Sequence, residues 1–103
     1  MKKIINTDKS PAPIGPYNQA ILKDNMLFIS GQIALDPISM KLNNNSIENE
    51  TNQVMMNLKN ILEEANMDFS NVVKTTIFLS DMDLFKKVND IYGKYIIEGD
   101  EPA

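Results

Sequence analysis

Neither cysteine nor histidine occurs anywhere in the 103 residues of this chain. Without cysteine there are no disulfides, no thiol nucleophiles and no cysteine-ligated zinc sites. Without histidine every Ser–His or Cys–His catalytic pair is excluded, and so are histidine-ligated metals. Arginine is missing too, because all 10 cationic side chains are lysine. Arginine is the usual planar clamp for a carboxylate or phosphate, and lysine replaces it only as a point charge. Positive charge is scarce overall: the formal net charge is −4 and the pI about 4.6. A general binder of nucleic acid or anionic membrane should be basic, so this balance argues against both. No apolar run approaches the roughly 18 residues of a membrane span. The Met1-Lys2-Lys3 start is followed only by Ile4-Ile5, too little for the core of a secretory signal. A cytoplasmic location is the expectation.

What remains is ordinary for a globular domain: 43% hydrophobic and 23% charged residues. The length is that of one domain, large enough to bury a core without metal or disulfide staples. No repeat or boundary divides residues 1–103. Pro11, Pro13, Gly15 and Pro16 force extended backbone over the segment 6–16 and prevent a helix there. Tyr17 to Leu22 and Met26 to Gly31 read as strands of a hairpin around the polar turn Lys23-Asp24-Asn25. Asp36-Pro37 and the stretch Lys41 to Asn45 make a loop. From Ile47 to Ala65 the pattern turns helical, with Val54, Leu58, Ile61 and Ala65 on one face and Met55 and Leu62 beside them. Ser46 is placed to cap its start, with Glu48 and Glu50 near the positive end of the helix dipole. Asn66 is placed to close it in a left-handed conformation. Val72 to Leu79 is rich in β-branched residues and reads as the clearest strand. Asp81 then caps a second helix, over 82–97. Gly93 falls inside that helix and should cost it roughly 1 kcal/mol against alanine. The order implies an α+β fold, two helices covering one face of a sheet that holds 17–22, 26–31 and 72–79.

Few residues stand out chemically, and each has two readings. Ile14-Gly15-Pro16-Tyr17 is either a turn with a half-buried tyrosine or a rigid loop presenting a phenol at a pocket rim. Ser30-Gly31-Gln32 is either a strand end with a glycine bulge or a place where backbone approaches a ligand closely. Asn89, between apolar members of its helix, is either a boundary amide or a group facing a site. The carboxylates Glu63, Glu64, Asp81 and Asp83 read as solvated surface or caps, since sequence neighbours do not share a helix face. Nothing resembles a phosphate loop or a calcium loop.

Several motifs in order resemble the RidA/YjgF family. Ser10-Pro11-Ala12-Pro13-Ile14-Gly15-Pro16-Tyr17-Asn18-Gln19-Ala20 is similar to its amino-terminal element, and Leu27 to Ile33 to its strand ending in Ser-Gly-Gln. Gln53 to Ala65 resembles its first helix and Val72 to Leu79 the strand before the second. Val88-Asn89 and Tyr92 fall where the family has a Val-Asn pair followed by an aromatic. Glu101-Pro102-Ala103 resembles the approach to its Pro-Ala-Arg element.

The resemblance spans the whole chain. It implies a chorismate-mutase-like α+β fold with a mixed sheet, and a homotrimer with pockets between subunits. It also implies hydrolysis of reactive imines and enamines, such as 2-iminopropanoate and 2-iminobutanoate, to 2-keto acids and ammonia, with no cofactor and no metal. Such a substrate has a carboxylate that wants a cation and a C=N carbon that a positioned water must attack. Carried over by position, Tyr17 and Asn89 are the implied catalytic residues, and Ser30 and Gly31 the implied substrate-binding floor. The family's arginine would follow Ala103. Its closing strands, with a pocket glutamate, also lie outside residues 1–103, so this stretch by itself is expected to carry the scaffold without the carboxylate clamp. A non-catalytic trimeric binding or regulatory protein is one alternative, and a ribonuclease or translation inhibitor another.

Overall fold

The centre of the sheet is the hairpin around Asp24-Asn25. A computed structural model describes residues 1–103. Strands β2 (Ala20–Lys23) and β3 (Met26–Ile29) pair antiparallel, with Lys23 opposite Met26. The turn is therefore one residue shorter than expected, because Lys23 joins the strand. Asp24 and Asn25 both take positive φ, 50° and 67°. Two such residues make the kind of turn whose twist matches that of the flanking strands, and Asp and Asn tolerate it better than other side chains. A further strand, β1 (Lys3–Ile5), pairs antiparallel with β2 and completes a meander β1-β2-β3. Its three residues are too short to show a period in the sequence. Tyr17 to Gln19 and Ser30-Gly31 lie outside the ladder, contrary to the expected strand limits.

The segment 72–79 corrects the sequence reading more deeply. It has no ladder partner among β1, β2 and β3. Its backbone bonds to a distant segment are the Thr75 N–H donating to the Ala103 carbonyl at 2.8 Å and the Ala103 N–H donating to the Val73 carbonyl at 3.0 Å. That alternation around Lys74 is the pattern of parallel strands. The mixed sheet is thus represented by a single parallel contact, and the paired strands are all antiparallel. β-branched side chains favour a pleated backbone, but a strand exists only where a neighbour supplies the ladder.

Helix α1 (Ile47–Glu64) starts where expected: the Asn49 N–H donates to Ser46 Oγ at 3.0 Å. Asn66, at φ 58°, closes it. Its most buried residues are Thr51, Met55, Asn57, Ile61 and Leu62, so two polar side chains lie deeper than Val54 and Leu58. Ile61 meets Ile5 and Ala20 in the core, with Leu22, Leu27, Ile29 and Ala65 packed around them, and α1 so covers one face of the sheet. Asp81 caps a tight turn, Met82–Leu84, that runs into α2 (Phe85–Gly93). Gly93 is the last helical residue rather than an interior one. The N–H groups of Lys94, Tyr95 and Ile96 donate to carbonyls three residues back, as in a narrowing helix end. Helix α2 packs against α1, burying Val88 and Ile91, and Tyr95 Oη donates to Asn52 Oδ1 at 3.0 Å. No helix is long and apolar enough to cross a membrane.

Candidate active site

Tyr17 ends the proline-rich loop. Its ring folds back over the loop, 46% exposed, and its hydroxyl oxygen accepts the Ile14 N–H at 3.3 Å. A side chain at Gly15 would put a Cβ 3.3 Å from the Tyr17 ring, so glycine at that position lets the phenol settle. The Tyr17 hydroxyl accepts in this contact, which leaves its own proton free for another group. Ser30 follows β3, and its Oγ donates to the Asn18 carbonyl at 2.7 Å. The Ser30 N–H donates to the Gln19 carbonyl at 2.9 Å. Ser30 thereby holds the backbone just after Tyr17 and retains only acceptor capacity at its oxygen. Gly31 is exposed, and a Cβ built there meets no atom of this chain within 4 Å. Nothing within residues 1–103 requires glycine at that position.

Asn89 is exposed on α2 and lines a surface cavity of about 310 Å³ with Tyr92, Gly93, Ile96, Glu98 and Glu101. Tyr92 Oη and Thr75 Oγ1 are 2.9 Å apart, which ties the cavity wall to the segment that holds Ala103. The Gly99 N–H donates to Glu101 Oε1 at 3.0 Å and holds that carboxyl below the usual carboxylate range. Gly99 takes φ +89°, a conformation that glycine alone adopts freely. The remaining carboxylates behave as the sequence suggests. Asp81 accepts the Asp83 N–H, and Glu63 and Glu64 lie on the surface.

Within one chain the structure joins the Ser30-Gly31 strand end to the two residues that follow Tyr17, through the Asn18 and Gln19 carbonyls. It does not bring Asn89 to them; the cavity at Asn89 includes none of Tyr17, Ser30 and Gly31. Two residues with larger structural roles escaped the sequence reading. Gln19 is 2% exposed and Asn57 fully buried. Asn57 Nδ2 donates to the carbonyls of Ile33 at 3.2 Å and Leu35 at 3.0 Å, pinning the chain after Ser30-Gly31 to α1. Polarity within the apolar stripe of α1 is the one signal that could have found Asn57.

The elements define an α+β domain in which a helix pair backs a small sheet and a proline-rich loop that carries a phenol is tied, just beyond it, to a Ser-Gly strand end. The family model described as Endoribonuclease L-PSP matches residues 7–103. A mouse protein named 2-iminobutanoate/2-iminopropanoate deaminase is 48% identical over 103 residues, which are 100% of this chain and 76% of that protein. A RutC family protein of Synechocystis is 51% identical over 102 residues, 98% of this chain and 78% of its own. A Thermotoga maritima crystal structure carrying a provisional endoribonuclease name superposes with a TM-score of 0.95 at 45% identity, over 100% of this chain and 80% of that one. The chain belongs to this family, the RidA/YjgF family.

Proposed function

We propose that the protein hydrolyses reactive 2-imino and 2-enamino acids, such as 2-iminopropanoate and 2-iminobutanoate, to 2-keto acids and ammonia. The observation that carries this is 48% identity over all 103 residues to a protein named for that activity. The chemistry suits the residues present. Protonation makes the C=N carbon electrophilic; water adds to it; the resulting carbinolamine loses ammonia and leaves the ketone. No group need change oxidation state, so the protein's work is orientation and proton placement. Tyr17 can donate its free hydroxyl proton, and Ser30 can accept from an imine N–H. The Asn89 amide can both donate to and accept from the attacking water. The substrate carboxylate needs a cation. The family's arginine belongs directly after the Pro-Ala pair, here Pro102-Ala103.

The site is completed, in this reading, by a second copy in a homotrimer. Asn89 is separate from Tyr17, Ser30 and Gly31 in one chain, and Val73, Ile77, Phe78 and Phe85 are all exposed. Both facts suit a pocket formed between subunits. The ribonuclease reading has less support: residues 1–103 carry a net charge of −4, not the basic footprint that a phosphate backbone demands.

The test is pyruvate release from serine and a serine dehydratase, with and without the protein as its gene encodes it. Release should outpace spontaneous imine hydrolysis. A folded protein that leaves the rate unchanged overturns the proposal.

A further inference from the structure

Gln19 is the polar side chain most thoroughly enclosed by backbone in this protein. Its Oε1 accepts the Thr7 N–H at 2.7 Å. Its Nε2 donates to the carbonyls of Thr7 at 3.0 Å, Ser10 at 3.2 Å and Pro11 at 2.8 Å. Two hydrogens serve three carbonyls, with the Ser10 contact the longest. The Thr7 N–H fixes which end of the amide is oxygen, so this orientation follows from the network. The backbone of the same residue is held as well. Its N–H donates to Asn6 Oδ1 at 2.9 Å, and its carbonyl accepts from Ser30.

These bonds meet at the two ends of one loop. Residues 12–17 leave from Pro11, whose carbonyl Gln19 grips, and return to Asn18, which is bonded directly to Gln19. A loop closed at both ends by one residue has little freedom left in its span. Tyr17 is the last residue of that span, and its bonds are to Ile14 and Gly15 of the same loop. Where the phenol sits is therefore decided by where the loop is anchored. A second anchor ties the loop to α1, since Ser10 Oγ donates to the Asn57 carbonyl at 2.7 Å and Asn60 Nδ2 donates to the Lys9 carbonyl at 2.8 Å.

We propose that Gln19 is a positioning residue of the imine-hydrolysing site, acting through Tyr17 by clamping both ends of the loop that carries the phenol. This rests on the deaminase reading. A group displaced by about 1 Å can lose on the order of a hundredfold in rate, so the orienting residue matters as much as the group oriented.

The experiment is a double-mutant cycle in the pyruvate-release assay. Gln19→Met should lower kcat by roughly tenfold with KM within about twofold, an effect within the range that misplacement produces. In a Tyr17→Phe background the same change should cost less than about twofold, because the group it positions has already lost its hydroxyl. A purely structural role would give the same loss in both backgrounds. If Gln19→Met does not fold, Ser10→Ala, nearly isosteric, releases the second anchor and should show the same non-additivity with a smaller loss. Equal losses in both backgrounds, or wild-type kcat in Gln19→Met or Ser10→Ala, overturn this inference while leaving the deaminase reading intact. No acceleration by the wild-type protein overturns both.

Discussion

Asn57 is as fully buried as Ile61, the core residue of α1. A fully buried amide in a helix stripe would be a liability unless each of its groups met a partner. Here Nδ2 has the carbonyls of Ile33 and Leu35, and Oδ1 accepts from Gln53 Nε2 at 3.0 Å. No buried side-chain polar atom in the protein is left without a partner. Replacing Asn57 by Ala takes the amide donor from the Leu35 carbonyl, leaves the Ile33 carbonyl only the Leu35 N–H, and opens a cavity. The expected cost is about 2–4 kcal/mol, from the desolvation of a stranded acceptor plus the lost volume. For a domain of this size that lowers Tm by roughly 10–20 °C, readable in a thermal melt. A drop below about 5 °C would mean that the loop 33–35 holds its place without the amide.

At the scale of elements, carboxylates set the loops and caps. The N–H groups of Ile38 and Ser39 each donate to Asp36 Oδ1 at 2.9 Å. The backbone donors of Ser39 and then Ile38 hold the Asp36 carboxyl below its ordinary 3.8. Asp68 does the same for the short turn Phe69–Asn71. The Ser70 hydroxyl, and then the Ser70 N–H, lower its carboxyl. A carboxyl lowered in the folded state stabilises the fold fully above its unfolded value. That contribution is lost as pH falls through the lower folded value. Melting temperature should therefore hold steady above the ordinary carboxylate range and decline below it. In Asp36→Asn with Asp68→Asn, an amide oxygen can still accept but cannot titrate, so the acid decline should flatten. Tm profiles of the wild type and the double variant check this, and identical acid limbs would contradict it.

At the scale of the molecule, the core is small for the chain. Only 13 of 103 residues are buried, and Val73, Phe78, Met82, Phe85 and Ile97 are each more than half exposed. Met82 and Phe85 line one hollow with Ile77 and Leu79, and exposed apolar surface of that kind is costly in water. Beyond Thr75 the segment 76–79 adds backbone without a ladder partner. Sedimentation of the protein at micromolar concentration should show a trimer. Pyruvate-releasing activity per subunit should fall on dilution together with the trimer fraction. A monomer with undiminished activity would show that the site needs only one copy.

The sequence by itself determined what short-range physics decides. Lys23-Asp24-Asn25 could turn the chain, and Ser46 could cap a helix and Asn66 end one. Each preference involves partners within a few residues, so each is written locally. The ordered motifs from Ser10 to Ala103 determined the family as well. Tertiary structure decided the rest. Val72 to Leu79 has every local mark of a strand, yet a ladder depends on a partner from elsewhere, and here Ala103 alone supplies one. Gln19 and Asn57 look like surface amides in the sequence, and only acceptors 8 to 24 residues away make them the clamps of the loop and the core. Asn89 sits on α2 as expected, but its distance from Tyr17 is a property of how helices and loop are stacked. Hydrogen-bond satisfaction and strand pairing are non-local, and no residue carries them alone.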